Sequence, residues 1–449
     1  MERREFLKTA GMSTAGILIG GLGMSASSYA RIIGSNDRVN VAVVGYSDRF
    51  RGALLPAFLH NCKAQNFDII GVSDLWKLRR EQAKANLEEK FGHAIRTYVN
   101  NERMYRDKDI DAVIISTADF QHALHAAEAA ENKKDAYVEK PFAETMADAR
   151  TARAAIEKAG TIVQIGSQRR SAPNYHAAND YLRSGKFGDI VMVEMTWNVN
   201  QPARWRRFKT VPLLKEEDTD WKRYLMNRPY QPFDPRKYLE FRLFWPFSSG
   251  IPGQWMAHQI DTVHWFTGYN YPRSVAANGG IYLWKDGRTN YDTMTAVLDY
   301  GPADNPDKGF QVIYSSRFTN SAGGTKEIYY SNGGELNLDT NMVTPNGGLT
   351  ARNAADADMK ENMLESFSLS DAAKISTDAN TGGDPMTTAH MLNWMECVRS
   401  RKQPNANYMA GYNHSIACIM VTAALRTHEF TVFDPATQEV MAGGKPFQY

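Results

Sequence analysis

From residue 38 to residue 165 the chain alternates short apolar runs with Ala-rich and charged helical segments, and few architectures accept that pattern. The runs are R-V-N-V-A-V-V (38–44), F-D-I-I-G-V (67–72), D-A-V-I-I-S-T (111–117), A-Y-V (136–138) and I-V-Q-I (162–165). The first is rich in β-branched valine, as befits a strand covered on both faces. Between them, residues 77–91, 123–132 and 143–159 read as helices, the last ended by Gly160. Strands and helices in such alternation predict a doubly wound parallel sheet. Ligands of these sheets bind in the crevice outside the carboxyl ends of the strands. The residues that close each run are therefore the first candidates for a site.

Gly45 closes the first run, and the turn continues Y-S-D-R-F-R-G to Gly52. A glycine here lets the backbone approach a pyrophosphate over a helix N-terminus. The match to G-x-G-x-x-G is imperfect, because Ser47 takes the second glycine's place and Gly52 comes late. Asp74, after the second run, suits the two hydroxyls of a ribose and would repel a 2′-phosphate, which favours NAD over NADP. It suits equally well the N-terminus of the helix over 77–91. Gly45 and Asp74 lie 29 residues apart, so the first helix and its loop must be extended. After the fourth such run comes E-K-P, residues 139–141. Pro141 lacks an N–H and suits a chain leaving a sheet before a helix. Lys140 would then point into the crevice, the bland alternative being a solvated lysine.

At 449 residues the chain exceeds one ordinary domain, and 43% hydrophobic residues suffice for sizeable cores. A net charge of +2 without a basic block points to neither nucleic acid nor an anionic membrane surface. Cys62, Cys397 and Cys418 lie far apart, which predicts buried thiols and no disulfide framework or zinc knuckle. Residues 1–30 differ from the rest. Arg3 and Arg4 open R-R-E-F-L-K, a Gly-rich apolar stretch follows, and S-Y-A at 28–30 offers a cleavage site. This is similar to a twin-arginine export signal, and it predicts a mature chain starting near Arg31, in the periplasm, delivered by the export machinery.

Beyond residue 190 the texture changes. V-M-V-E-M-T-W (191–197), M-T-A-V-L-D-Y (294–300), 311–315 and 326–330 alternate in polarity, which predicts an antiparallel sheet with one covered face. Six of the nine tryptophans fall between Trp197 and Trp265. Aromatic faces can stack on sugars, but most of these are expected in the core or an interface.

Taken in order, the Gly45 turn, V-S-D, I-I-S-T-A-D-F-Q-H-A, E-K-P and V-Q-I-G-S-Q-R-R resemble the Gfo/Idh/MocA oxidoreductases, the glucose–fructose oxidoreductase and inositol dehydrogenase family. N-W-M-E-C-V-R-S-R-K-Q-P-N at 393–405 resembles that family's late helix and loop. The resemblance implies a Rossmann NAD-binding domain over 31–165 and an α+β domain over 166–449, with a large, mainly antiparallel open sheet. The outer face of that sheet commonly packs against another subunit, which implies a homodimer or homotetramer.

The same resemblance bears on G-I-P-G-Q-W-M-A-H-Q-I-D-T-V-H-W-F-T-G, residues 250–268. Set against D-x-G-x-H-x-x-D, His258 and Asp261 match, while Gln254 replaces the first Asp and Met256 the Gly. By implication His258 is the general base and Lys140 the group that holds the charge on the reacting oxygen. Glu139 and His122 line the nicotinamide side, and Ser47 and Thr117 serve the phosphates or ribose. Gly45, Arg49, Asp74 and Gln168 complete the cofactor set, and Arg169, Gln254 and Asp261 border the substrate. Gln254 can orient His258 but adds no charge. His258, Asp261 and His264 share helical spacing, but the expectation is proton transfer and no metal.

The function implied is oxidation or reduction of a carbinol in a sugar, glycoside or polyol, with NAD held tightly. Two alternatives are a glycoside hydrolase that works by transient oxidation, and a sugar- or cofactor-binding protein without turnover.

Overall fold

The computed structural model describes residues 37–369 and 384–449, so the stretch expected to act as an export signal lies outside the described residues. The first domain is a six-stranded parallel sheet in the order β3-β2-β1-β4-β5-β6. Its strands are β1 (Val39–Val44), β2 (Phe67–Ser73), β3 (Arg96–Tyr98), β4 (Ala112–Ile115), β5 (Asp135–Val138) and β6 (Val163–Ile165). β4 and β5 are buried along their whole length, so both faces are covered as their sequences require. β3 was not expected. It is a three-residue edge strand with Arg96 and Thr97 exposed, and so carries no apolar pattern.

Helices α1 (Leu55–Gln65), α2 (Lys77–Phe91), α3 (His122–Glu131) and α4 (Met146–Ala159) connect the strands. A π turn over Phe50–Leu54 runs into α1, and the helical path starts at Ser47, whose Oγ accepts from Phe50 N at 3.2 Å. That extra length accounts for the wide spacing between Gly45 and Asp74. Thr145 caps α4 by accepting from Asp148 N at 3.0 Å, and Gly160 ends it in the left-handed conformation.

The second sheet has eleven strands, and every pair is antiparallel except β7 with β10. It comprises β7 (Ile190–Asn198), β8 (Ser274–Gly280), β9 (Thr293–Tyr300), β10 (Phe310–Arg317) and β11 (Thr325–Ser331). To these are added β12 (Gly334–Asn337), β13 (Met342–Thr344), β14 (Phe367–Ser368), β15 (Thr431–Asp434), β16 (Glu439–Ala442) and β17 (Lys445–Pro446). Along β10, Phe310, Val312, Tyr314 and Ser316 face inward and alternate with half-buried or exposed residues. Four longer helices accompany this sheet: α5 (Pro173–Arg183), α6 (Ala257–Thr267), α7 (Pro385–Ser400) and α8 (Tyr408–Thr427). Among the described residues no helix is long and apolar enough to cross a membrane, and all three cysteines are free and buried.

The late segment does not stay with the second sheet. Helix α7 returns to the first domain, where Trp394 is fully buried with its ring 5.8 Å from Phe67 and 6.0 Å from Tyr137. Asn61 Nδ2 donates to Thr388 O at 3.0 Å, and Ile165 N donates to Ala406 O at 2.7 Å. Val41, Val43, Ile114 and Tyr137 thus share a core with α1 and α7. The opposite sheet face, with Val44, Val113, Ile115 and Val138, continues without a break into the core of the second domain.

Candidate active site

The parallel sheet's strand order reverses between β1 and β4, and the crevice opens at that switch point. It holds a cavity of about 950 Å³, floored by the strand ends and closed by the 197–207 segment and the start of α6. Gly45, Ser47, Arg49, Asp74, Thr117, His122, Glu139, Lys140, Gln168, Gln254 and His258 all line it.

At one end stand the groups suited to a dinucleotide. Gly45 has φ +85°, and a Cβ there would lie 2.8 Å from Thr117 Cγ2, so only glycine fits between β1 and β4. Asp74 accepts from Tyr46 N and Trp76 N, each at 2.9 Å, which ties the glycine turn to the end of β2. Burial raises its pKa in spite of those two donors. Thr117 Oγ1 and Trp76 Nε1 are buried polar atoms without a protein partner, and both residues face the cavity. A cofactor with ribose and phosphate oxygens fits this donor set. Arg49 Nε pairs with Glu139 at 2.7 Å. Burial alone would raise the Glu139 carboxyl, but Arg49 and Lys140 outweigh it and hold the pKa low. Gln168 Nε2 donates to Tyr137 Oη at 3.2 Å beside that pair. His122 is buried between Pro141 O, 2.8 Å from Nδ1, and Thr117 O, 3.2 Å from Nε2.

At the other end the two domains meet. A π turn over Pro252–Met256 leads into α6 and presses against the E-K-P segment. Gly253 permits this approach, since a Cβ there would lie 2.9 Å from Glu144 Oε1 and 3.1 Å from Pro141 Cγ. Lys140 Nζ donates to Gln254 O at 2.6 Å. Burial pulls the Lys140 pKa down to about 8, against the attraction of Glu139 and Asp119. His258 is half-buried, with its ring 5.9 Å from that of Trp197, and its nitrogens form no hydrogen bond among the described residues. Burial, then the charges of Lys140, Arg169 and Arg49, push its pKa well below 6.5. The imidazole is therefore neutral at neutral pH, with an unoccupied acceptor nitrogen beside a lysine. Such a pair can take a proton from a hydroxyl and hold charge on its oxygen.

Three expectations need correction. Arg169 does not border the cavity; it is buried in an ion pair with Glu327 behind Trp197. Asp261 does not border it either, because Arg170 Nε binds its carboxylate at 2.8 Å and, outweighing burial, keeps its pKa low. Gln254 lines the cavity but does not orient His258. Its Nε2 donates to Asp119 at 2.5 Å and its Oε1 accepts from Arg242 Nε at 2.7 Å. His264 Nε2 lies 2.9 Å from Tyr300 Oη, which holds its ring inside the second domain.

Sequence reasoning missed Asp119, Arg204 and Arg242. Asp119 is fully buried and accepts from Ser248 Oγ at 2.6 Å as well as from Gln254. It sits inside D-F-Q-H, and the charge missing at position 254 could have prompted a search for it there. Of the six clustered tryptophans, Trp197, Trp205 and Trp255 line the cavity and the other three do not.

Residues 39–167 match the family model described as the Gfo/Idh/MocA oxidoreductase family, NAD-binding Rossmann fold. Inositol 2-dehydrogenase of Salmonella typhimurium is 26% identical over 166 residues, covering 36% of this chain and 48% of that protein. A glycosyl hydrolase family 109 protein of Shewanella baltica is 30% identical over 161 residues, covering 32% of this chain and 35% of that protein. The chain thus spans less than half the length of these relatives. A levoglucosan dehydrogenase in complex with NADH and levoglucosan has the same fold, with a TM-score of 0.61 at 13% identity, covering 88% of this chain and 98% of that one. Residues 39–167 form an NAD-binding Rossmann domain similar to that of the Gfo/Idh/MocA oxidoreductases.

Proposed function

We propose that the protein is an NAD-dependent oxidoreductase acting on a carbinol of a sugar, glycoside or polyol. The observation that carries this reading is that Lys140 and His258 line one cavity at the domain junction, with Lys140 Nζ donating to Gln254 O on the turn that leads to His258. Asp74 would hold the adenosine ribose, the Gly45–Ser47 turn and Thr117 the phosphates, and Glu139, His122 and Gln168 the nicotinamide side. When bound, NAD supplies the hydride acceptor. His258, neutral and unbonded, takes the hydroxyl proton at a ring nitrogen as the carbon is oxidised. Lys140 donates to the same oxygen and stabilises its developing charge. Trp197 under the imidazole limits its rotation. The test is a panel of sugars and polyols mixed with the NAD-loaded protein, read by absorbance of the reduced cofactor. Failure of every carbinol to reduce it would overturn the reading.

The family 109 resemblance favours a second reading, glycoside hydrolysis by transient oxidation. Oxidising a ring carbinol acidifies the adjacent C–H, which permits elimination of the glycosidic group, addition of water to the unsaturated ketone, and re-reduction by the cofactor. Released sugar without net reduction of cofactor would select it. We further read R-R-E-F-L-K as the mark of export in folded form with cofactor aboard. Changing Arg3 and Arg4 together to Lys should retain the chain in the cytoplasm.

A further inference from the structure

The wall of the cavity beside Lys140 carries two guanidinium groups that no carboxylate pairs. Arg204 forms no ion pair among the described residues. Its Nη1 donates to Gln201 Oε1 at 2.9 Å, its guanidinium lies 5.5 Å from the Trp255 ring centroid, and its Nε is buried without a partner. Arg242 likewise forms no ion pair among the described residues, and its Nε is spent on the neutral Gln254 Oε1. The carboxylates acting on Arg242 from a distance are already engaged: Asp119 first, by Ser248 and Gln254, then Glu139 by Arg49 and Asp48 by Arg51, Arg79 and Arg207. Burial, with the charges of Arg242 and Arg207, draws the Arg204 pKa down to about 10. Positive groups gathered in a part-buried wall repel one another, and the arrangement makes sense when an anion enters between them.

The contacts of the two arginines point to the substrate end of the cavity. Arg204 and Arg242 are held by Trp255 and Gln254, which belong to the segment that presents His258. Arg207, in contrast, pairs with Asp48 at 2.9 Å, on the glycine turn where the dinucleotide belongs. We propose that the substrate carries an anionic oxygen group, a carboxylate or a sulfate or phosphate ester, seated between Arg204 and Arg242. The inference rests on the oxidoreductase reading of the same cavity. Trp255, to which Arg204 is fixed, would border the sugar ring next to that group. Neutral sugars lack the group and leave both guanidiniums unpaired.

The test uses the NAD-loaded full chain and direct binding, followed by tryptophan fluorescence and calorimetry. Methyl β-D-glucuronide, glucose 6-sulfate and glucose 6-phosphate are compared with neutral methyl β-D-glucoside. At least one anionic probe should bind about ten-fold or more tightly than the neutral one, and which it is separates a uronate from an ester. Arg204→Gln and Arg242→Gln should each weaken that probe about 10- to 100-fold, the range for a lost charge-assisted contact. NAD affinity should stay unchanged and each variant should keep a single cooperative unfolding transition, which excludes a folding defect. Equal binding of the neutral sugar, absence of saturable binding by any probe, or loss of NAD affinity in the variants would each overturn the proposal. Tight anion binding without reduction of NAD would instead leave it standing and remove the redox reading. Reduction by neutral sugars alone would do the reverse.

Discussion

At the cofactor end of the cavity, Asp48 meets Arg51, Arg79 and Arg207, Arg49 meets Glu139, and Asp74 meets two backbone N–H groups. At the substrate end Arg204 and Arg242 form no ion pair among the described residues, and His258 has no hydrogen bond there. The difference separates two ways of preparing a site. The cofactor end is compensated on folding, so its geometry is set before anything binds. The substrate end is left uncompensated, and there burial first, then the charge of Lys140, depresses the basicity of the histidine.

The largest effect should come from removing the least compensated group. His258→Ala should lower turnover by about 10²- to 10⁴-fold, the usual worth of an acid–base group. NAD affinity, measured by fluorescence titration, should remain, because the paired end is untouched. Lys140→Ala should cost a similar factor, and the double variant should be little worse than the poorer single one. Additive losses would show that the two do not act on one oxygen.

A smaller effect is expected at the compensated end. Asp74→Ala removes an acceptor for two backbone donors as well as the proposed ribose contact. It should weaken NAD about ten-fold or more and relax discrimination against NADP. If neither affinity changes, Asp74 only fastens the turn.

Smaller again, and confined to stability, is Gln254→Asp. A carboxylate there would face Asp119 in place of an amide donor and could no longer satisfy both Asp119 and Arg242. Denaturant unfolding should show a loss of about 1–3 kcal/mol. Unchanged stability would mean that the Gln254–Asp119 bond is not formed.

The subtlest prediction is a pH profile. Lys140 must be protonated to hold charge, and its pKa is drawn from 10.5 to about 8, so activity should fall as pH rises through about 8. His258 must be neutral, and its pKa lies well below 6.5, so the acid limb should lie below the ordinary histidine range. An acid limb at the ordinary value would mean that His258 does not act from that half-buried position near Lys140.

Much of this comparison was legible in the sequence at one end only. Gly45, Asp74, Thr117 and Lys140 follow strands directly, so period and punctuation locate them. Asp119, Arg204 and Arg242 come together from a helical turn, a loop and a short helical turn far apart in the chain, and no local pattern announces such a meeting. Arg169 and Asp261 misled for the reverse reason. Their positions matched a motif, but buried partners from other elements, Glu327 and Arg170, claim their charges. The strands β7, β9, β10 and β11 show their alternation openly, whereas β8, S-V-A-A-N-G-G, carries too little apolar contrast to read.

The return of α7 to the first domain has a consequence for biosynthesis. Trp394 fills the space between Phe67 and Tyr137, so one face of the nucleotide domain lacks its cover until nearly the whole chain has left the ribosome. At about 5–20 residues per second, the interval between making the first strands and making α7 is on the order of tens of seconds. During that time Val41, Val43, Ile114 and Tyr137 are only partly covered and open to wrong partners. A nascent chain of this design gains from a chaperone that shields that face, and a version cut before residue 385 should aggregate although its strand–helix alternation is complete.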